Sequence, residues 1–243
     1  QVEIEISSTI ERLTSHDVIA VQRGQTPELL MLSARWNSLP FDITTGAGGG
    51  SGAAVVMETA RRLVALDPLP TRGVVYTVSS AMAEGIVGLR YYADHPSILP
   101  SPGAGNDELP LDRTLGHIFL DHAAPEQPSH GVGKIGSGSG RVLAQMLRTA
   151  AINQRRLVVL DQSAERRFYY SYSQSAFARH GVPTLYLTTP PDNERLAPLQ
   201  ADEQTEGSAA PEGFDLDASL LVDLLTTMAN TTHFPREQTA LRP

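Results

Sequence analysis

The stretch LMLSARWNSLPFDITTGAGGGSGAAVVMETARRL, residues 30–63, decides the fold of this chain. It begins with an apolar segment typical of a buried strand, continues through a loop and a glycine-rich turn, and ends with apolar residues at helical spacing. In an open α/β sheet, the loop between such a strand and helix lies at the carboxyl edge of the strands, where ligands bind. We therefore expect functional side chains in this loop. It contains Arg35, Trp36, Asn37 and Asp42, but no His, Cys or Glu.

The composition limits the classes of protein that the chain can represent. Its 243 residues, 41% of them hydrophobic, suffice for one sizeable core. A net charge of −8 disfavours nucleic acid and anionic membrane as partners. The absence of cysteine excludes thiol catalysis, Cys-ligated zinc and disulfides. No apolar run approaches the roughly 20 residues that span a bilayer. Because Gln1 is not an initiator methionine, we expect a processed or trimmed piece of a longer protein.

Hydrophobic periodicity predicts strands that alternate with helices. The predicted strands are 2–7, 17–22, 29–34, 73–78, 115–120, 157–160 and 184–187, and the predicted helices are 51–66, 86–93, 141–153 and 217–230, with a helical turn at 175–180. The first three strands suggest an antiparallel start to the sheet, and loops are expected at 97–111, 131–140 and 190–213. This order predicts an α/β fold, a three-layer α/β/α sandwich around one mixed, mostly parallel β-sheet. We expect one domain, 1–243, with a loose tail at 236–243.

A glycine motif and a serine motif bear on whether the chain is a nucleotide-binding enzyme or a serine hydrolase. Gly131, Gly133 and Gly136 match G-x-G-x-x-G, but no strand precedes them, which disfavours a dinucleotide site and favours a turn before a helix. No G-x-S-x-G follows a strand, so the nucleophile turn of an α/β-hydrolase is not indicated.

Three histidines lie near Asp121 in the sequence: His117, His122 and His130. Zinc requires several such groups to converge at about 2.0–2.2 Å. Because His117 falls inside an apolar strand, a packed or surface role is favoured for each of the three. A basic and aromatic run at 166–170 is interpreted as an interaction surface or a strand edge, given the excess of acidic residues.

Seven segments, taken in order, resemble the di-zinc aminopeptidase family, whose relatives include glutaminyl cyclase, the transferrin receptor ectodomain, nicastrin and the GPI transamidase subunit. The segments are SHDVIAVQRG, PELLMLSARWNSLP, GAGGGSGAAVVMETARRL, MAEGIVGLRYYADHP, HIFLDHA, SQSAFARHGVPTLYL and FDLDASLLVDLLTTMAN. The resemblance covers nearly the whole chain and implies the family's fold. It also implies an extracytoplasmic location, whether periplasmic, lumenal or secreted, for the soluble part of a membrane protein.

The family's chemistry uses two zinc ions, which share a bridging Asp, and a Glu that deprotonates a metal-bound water. The resemblance assigns this chain different side chains at these positions. Where the family has the His and Asp of its His-x-Asp motif, the chain has Arg35 and Asn37. Where the bridging Asp precedes the A/G-S-G turn, the chain has Gly48.

The remaining positions follow from the same resemblance. The family's adjacent Glu pair maps to Met82 and Ala83, with Glu84 one residue out of register. The last His maps to Gln200, and the Asp-His pair before the Phe of the sixth segment maps to Ser173 and Gln174. Only the Asp after the next strand persists, as Asp121. The resemblance therefore implies a vestigial pocket formed by Arg35, Asn37, Gly48, Met82, Ala83, Asp121, Gln174 and Gln200.

One zinc ligand of five remains, and the Glu base is absent. A single carboxylate does not hold zinc against water, because zinc sites need three or four protein ligands. Arg35 also places a permanent cation where a dication would sit. We therefore expect no catalytic residue, no metal and no cofactor, and we hypothesise that an Arg35–Asp121 ion pair fills the vacated site.

Three functions remain open from the sequence. The leading one is a catalytically inactive zinc-peptidase-like domain that binds a protein or peptide, as a dimer or within a hetero-complex, without inserting into a membrane. The first alternative is an active zinc aminopeptidase, related exopeptidase or cyclase, with ligands drawn from Asp42, Glu84, His117, His122 and Asp202. The second is a metal-free serine hydrolase that uses Ser79 or Ser80, although nothing in the sequence positions a base beside them.

Overall fold

A computed structural model of the chain describes residues 12, 14–36, 50–82, 85–96, 111–121, 123, 131–136, 141–161, 173, 175–187 and 211–232. The strands are β1 (Val18–Gln22), β2 (Leu29–Arg35), β3 (Gly73–Ser79), β4 (Thr114–Leu120), β5 (Gly131–Gly136), β6 (Leu157–Asp161) and β7 (Thr184–Leu187). The helices are α1 (Gly50–Val64), α2 (Val87–Asp94), α3 (Arg141–Asn153), α4 (Ser175–Ala178) and α5 (Pro211–Asn230). A 3₁₀ turn, Leu111–Arg113, leads into β4.

The strands form one seven-stranded mixed sheet in the order β1-β3-β2-β4-β7-β5-β6. The four central strands, β3, β2, β4 and β7, are parallel, whereas β1 and β5 pair antiparallel with β3 and β7. Helices α1, α3 and α5 cover one face of the sheet, and α2 and α4 cover the other. The predicted three-layer α/β/α sandwich is confirmed.

Burial on both faces explains the composition of the central strands. Every residue of β2, β3 and β4 is buried, as expected of strands that are covered by helices on both sides. The larger core lies under α1, α3 and α5, and the smaller core lies under α2 and α4 around Met31, Phe119 and Phe177. Among the described residues, no helix is long and apolar enough to cross a membrane.

Strand β1 was predicted to belong to an antiparallel start of the sheet, with no neighbouring strand assigned. It is antiparallel, as expected. It pairs with β3 and not with β2, which is the next strand in the sequence. The physical reason is burial, because β2 is buried along its whole length and requires a strand on each side. Three of the five residues of β1 are exposed, which suits the edge of the sheet. The predicted strand 2–7 and the predicted loop 97–110 lie outside the described residues.

The predicted loop 131–140 was wrong at 131–136, and the predicted loop 190–213 was wrong at 211–213, whereas 137–140 and 190–210 lie outside the described residues. Residues 131–136 form strand β5 rather than a glycine-rich turn, because their main chain pairs with β6, as in Gly131↔Leu157. Main-chain pairing here outweighs the low strand propensity of glycine. Helix α5 begins at Pro211, six residues before its predicted start, and proline favours the first position of a helix. The predicted bounds of the other helices and strands within the described residues differ by at most two residues from those observed.

Candidate functional site

The candidate site lies where the central parallel strands end. Strand β2 leads through α1 to β3 on one side, whereas β4 lies on its other side, so the crevice between β2 and β4 is a topological switch point. Arg35 is the last residue of β2, Asp121 directly follows β4, and Ser79 ends β3 in register with Arg35. These three side chains therefore meet at one edge of the sheet.

Arg35 and Asp121 form an ion pair at this edge, as hypothesised from the sequence. The distance from Arg35 Nε to Asp121 Oδ1 is 2.8 Å, and the two side chains are 3% and 16% exposed. The hydroxyl of Tyr186, on β7, donates a hydrogen bond to the other carboxylate oxygen, Asp121 Oδ2. Both oxygens of Asp121 are thus engaged by cationic or neutral donors in a site that largely excludes water.

The main chain fixes both members of the pair. The Trp36 amide donates to the Ser79 carbonyl at 2.7 Å, and the Asp121 amide donates to the Leu187 carbonyl at 2.8 Å, so the β2–β3 and β4–β7 pairings extend to the site. Helix α1 begins close by, because a Cβ at Gly52 would lie 2.8 Å from the Leu120 carbonyl oxygen. Only glycine permits this approach of α1 to the end of β4.

A second polar cluster shapes the loop between β3 and α2. The amide and hydroxyl of Ser80 donate to Asp17 Oδ1 at 2.8 and 3.1 Å, and the Ser15 hydroxyl donates to Ser80 Oγ at 2.6 Å. In this loop Ala81 and Ile86 have φ angles of 51° and 64°, a left-handed backbone that a β-branched residue rarely adopts. Asp17 therefore anchors the start of this loop at Ser80, next to the left-handed residue Ala81.

The described residues include three of the predicted site residues. Arg35 and Asp121 are brought into contact, whereas Met82 is 7% exposed and packs in the core under α2. The remaining predicted site residues lie outside the described residues: Asn37, Gly48, Ala83, Gln174 and Gln200. The sequence does not single out Tyr186, because the pattern of its strand is apolar. The feature that could have identified it is a hydroxyl group one position before the end of a central strand.

His117 is a core residue. It is fully buried, its Nε2 lies 2.9 Å from Ser33 Oγ, and its ring centroid lies 4.3 Å from that of Phe177. Burial lowers the pKa of this imidazole to about 3. This position does not fit a zinc ligand at the crevice. The other alternative ligands, Asp42, Glu84, His122 and Asp202, lie outside the described residues.

In the described part of the chain, neither serine of the serine-hydrolase alternative is hydrogen-bonded to a histidine. The Ser80 hydroxyl is bound to Asp17 and Ser15, and the Ser79 hydroxyl is buried without a hydrogen-bond partner. A catalytic serine requires a base within hydrogen-bond reach.

The donor set within the described residues does not fit the zinc pair that the fold family implies. Within the described ranges, no group of three or more His, Asp and Glu side chains is arranged to hold a metal ion. The one retained carboxylate, Asp121, is occupied on both oxygens.

This fold, with its crevice at the switch point of a mixed sheet, is of the zinc-aminopeptidase-like class. The sequence matches Peptidase family M28 over residues 17–208, and the chain belongs to this family. A comparison with curated protein sequences found no match.

Solved structures of similar fold include a zinc aminopeptidase of Bacillus subtilis, BSAP, at 17% identity and a TM-score of 0.63, with 92% of this chain and 52% of that chain covered. The glutaminyl cyclase of an Acidobacteriales bacterium is similar at 14% identity and a TM-score of 0.59, with 88% and 73% covered. The gamma-secretase component nicastrin is similar at 12% identity and a TM-score of 0.63, with 89% and 43% covered. The chain spans about half the length of the aminopeptidase it matches.

Proposed function

We propose that this chain is a catalytically inactive member of Peptidase family M28 that binds a protein or peptide, as a recognition domain or as a subunit of a larger complex. The observation that carries this proposal is the Arg35–Asp121 ion pair, with Tyr186 on the second carboxylate oxygen. By the family resemblance, Arg35 replaces a zinc-ligating His and Asp121 is a retained zinc ligand.

Electrostatics supports this reading. A zinc ion that binds Asp121 must displace Arg35 and leave its guanidinium in a nearly buried position without a counter-ion, which is strongly unfavourable. If the guanidinium stays, each pair of like unit charges about 4 Å apart repels by about 4 kcal/mol at an effective dielectric constant near 20. A dication at this position is therefore destabilised either by an unpaired buried guanidinium or by like-charge repulsion.

The similarity of fold to nicastrin, described as a gamma-secretase component, supports a role within a complex. By the same family resemblance, we place the domain outside the cytoplasm, as the soluble part of a membrane protein. Its partner is then a protein or peptide that contacts the crevice without being cleaved.

The proposal is tested by metal content and activity. The chain is purified without chelator, incubated with zinc, desalted, and assayed for bound zinc and for hydrolysis of leucine 4-nitroanilide. We expect no stoichiometric zinc and no hydrolysis. We expect the same of Arg35→His, because one imidazole does not complete the ligand set.

BSAP treated in the same way is the positive control for loading and activity. Stoichiometric zinc together with hydrolysis by the unmodified chain would show an active zinc peptidase and would refute the proposal. Stoichiometric zinc uptake by Arg35→His would refute the argument from ligand number.

A further inference from the structure

Arg90, the fourth residue of α2, has no role in the site described above. Its side chain is half-buried and its Nε is shielded from solvent, yet it makes no hydrogen bond or ion pair with any described residue. Guanidinium groups that lose water normally gain an acceptor, because an unmet buried donor is costly. Because no described residue supplies an acceptor, this guanidinium is a candidate to bind a ligand.

The described acidic side chains nearest to Arg90, along α2 and beside its first turn, interact with other residues. Asp94, one turn further along the helix, lies 3.1 Å from His180 Nε2. Asp17, which lies against Gly88, accepts hydrogen bonds from Ser80. Among the described residues, Arg90 therefore remains a cation without a counter-ion, in a chain whose net charge is −8.

The guanidinium of Arg90 points to the rim of the crevice. Helical side chains lean toward the N-terminus of their helix, and α2 begins at the carboxyl edge of the sheet. Arg90 Nη1 lies 4.0 Å from the position that a Cβ at Gly85 would take. Gly85, with a φ of 104°, belongs to the loop that starts directly after Ser79.

We propose that Arg90 is an anion-binding subsite on the α2 rim of the crevice and that it takes a carboxylate of the bound peptide. The planar fork of arginine matches a carboxylate through two parallel N–H···O bonds. The carboxylate belongs either to the C-terminus of the peptide or to an Asp or Glu side chain. This inference rests on the proposed function, because it requires a peptide that is held and not cleaved.

The test uses three peptides: N-acetyl-trialanine with a free carboxylate, its C-terminal amide, and N-acetyl-Ala-Glu-Ala amide. Binding is measured by calorimetry and by the fluorescence of Trp36, which is the only tryptophan in the chain and is 66% exposed beside Arg35. We expect one carboxylate peptide to bind at least about ten-fold more tightly than the neutral amide, which corresponds to about 1.4 kcal/mol. Preference for the first peptide identifies the C-terminus, and preference for the third identifies an acidic side chain.

Variants assign the effect to Arg90. We expect Arg90→Gln to abolish the preference for carboxylate and Arg90→Lys to retain part of it. The matched control is Arg61→Gln on α1, whose side chain is 71% exposed and already paired with Glu58, and it should leave the affinity unchanged. In the unmodified chain, phenylglyoxal should modify Arg90, and the preferred peptide should protect it.

Equal affinity for the three peptides, no binding of any of them, or an unchanged preference in Arg90→Gln would overturn the subsite. These outcomes are separate from those of the zinc experiment. A chain that takes no zinc but shows no carboxylate preference loses the subsite and keeps the proposed function. A chain that loads zinc and cleaves loses the proposed function, whatever Arg90 binds.

Discussion

At the residue scale, His117 shows how one buried side chain links stability to pH. Its imidazole on β4 meets the Ser33 hydroxyl of β2, which accepts a hydrogen bond of 2.7 Å from Thr77 Oγ1 of β3. Burial lowers the pKa of His117 to about 3, whereas the pKa of histidine in an unfolded chain is about 6.5. Between these two values the unfolded state binds the proton more tightly. This contribution to stability is therefore complete above pH about 6.5 and is lost as the pH falls toward 3.

Substitution His117→Gln tests this link. Glutamine keeps a polar group near Ser33 but does not ionise, so we expect a loss of about 1–3 kcal/mol in the free energy of unfolding at neutral pH. Below pH about 6.5 the difference between the two proteins should shrink, by up to about 1.4 kcal/mol per pH unit. Urea unfolding at neutral and mildly acidic pH measures both effects. The exposed His95→Gln is the control, and a pH dependence of His117→Gln parallel to that of the unmodified chain would rule out His117 as the source.

At the element scale, arginines from other segments bind α5 near both of its ends through hydrogen bonds and an ion pair. Arg72, just before β3, donates to the Met228 and Thr231 carbonyls at 3.2 and 2.6 Å. Arg156, just before β6, donates to the Leu216 carbonyl at 2.8 Å and pairs with Asp217. A cation at the C-terminus of a helix also interacts favourably with the helix dipole, as Arg72 does here.

We expect Arg72→Met to lower the free energy of unfolding by about 2–4 kcal/mol, because buried carbonyls at the end of α5 lose their donor. The contribution of an exposed ion pair is small, so Arg61→Met should leave the free energy of unfolding nearly unchanged. Urea unfolding measures both, and hydrogen exchange should show the loss of protection concentrated in the last turns of α5. Equal costs for the two variants would contradict the anchoring role of Arg72.

Also at the element scale, periodicity predicted β2, β3, β4 and β7 well, because burial on both faces makes these segments continuously apolar. It did not predict β5, whose glycines are held in a strand by main-chain pairing with β6. It also did not predict which strands are neighbours, since the position of β1 beside β3 depends on contacts distant in sequence. Local pattern reports burial, whereas pairing is a property of the assembled sheet.

At the scale of the whole molecule, the site was predictable only in part. The Arg35–Asp121 pair followed from the family resemblance, which assigned both residues to ligand positions of one metal site. Tyr186 and Asp17 were not predicted, because their partners, Asp121 and Ser80, lie 65 and 63 residues away in the sequence. Such contacts leave no local signal, so they became visible only once the sheet order was known.

The whole molecule is stabilised by two hydrophobic cores, one on each face of the sheet, and this leads to a prediction about metal removal. A ligand present at about a thousand times its Kd stabilises a folded protein by about 4 kcal/mol, which raises the Tm by several degrees. Because the crevice holds an internal ion pair, we expect the same Tm in excess chelator and in millimolar zinc, as measured by calorimetry. Asp121→Asn is the matched variant. A zinc-dependent rise in Tm that occurs in the unmodified chain and disappears in Asp121→Asn would place a metal at the crevice and contradict the ion pair as its occupant.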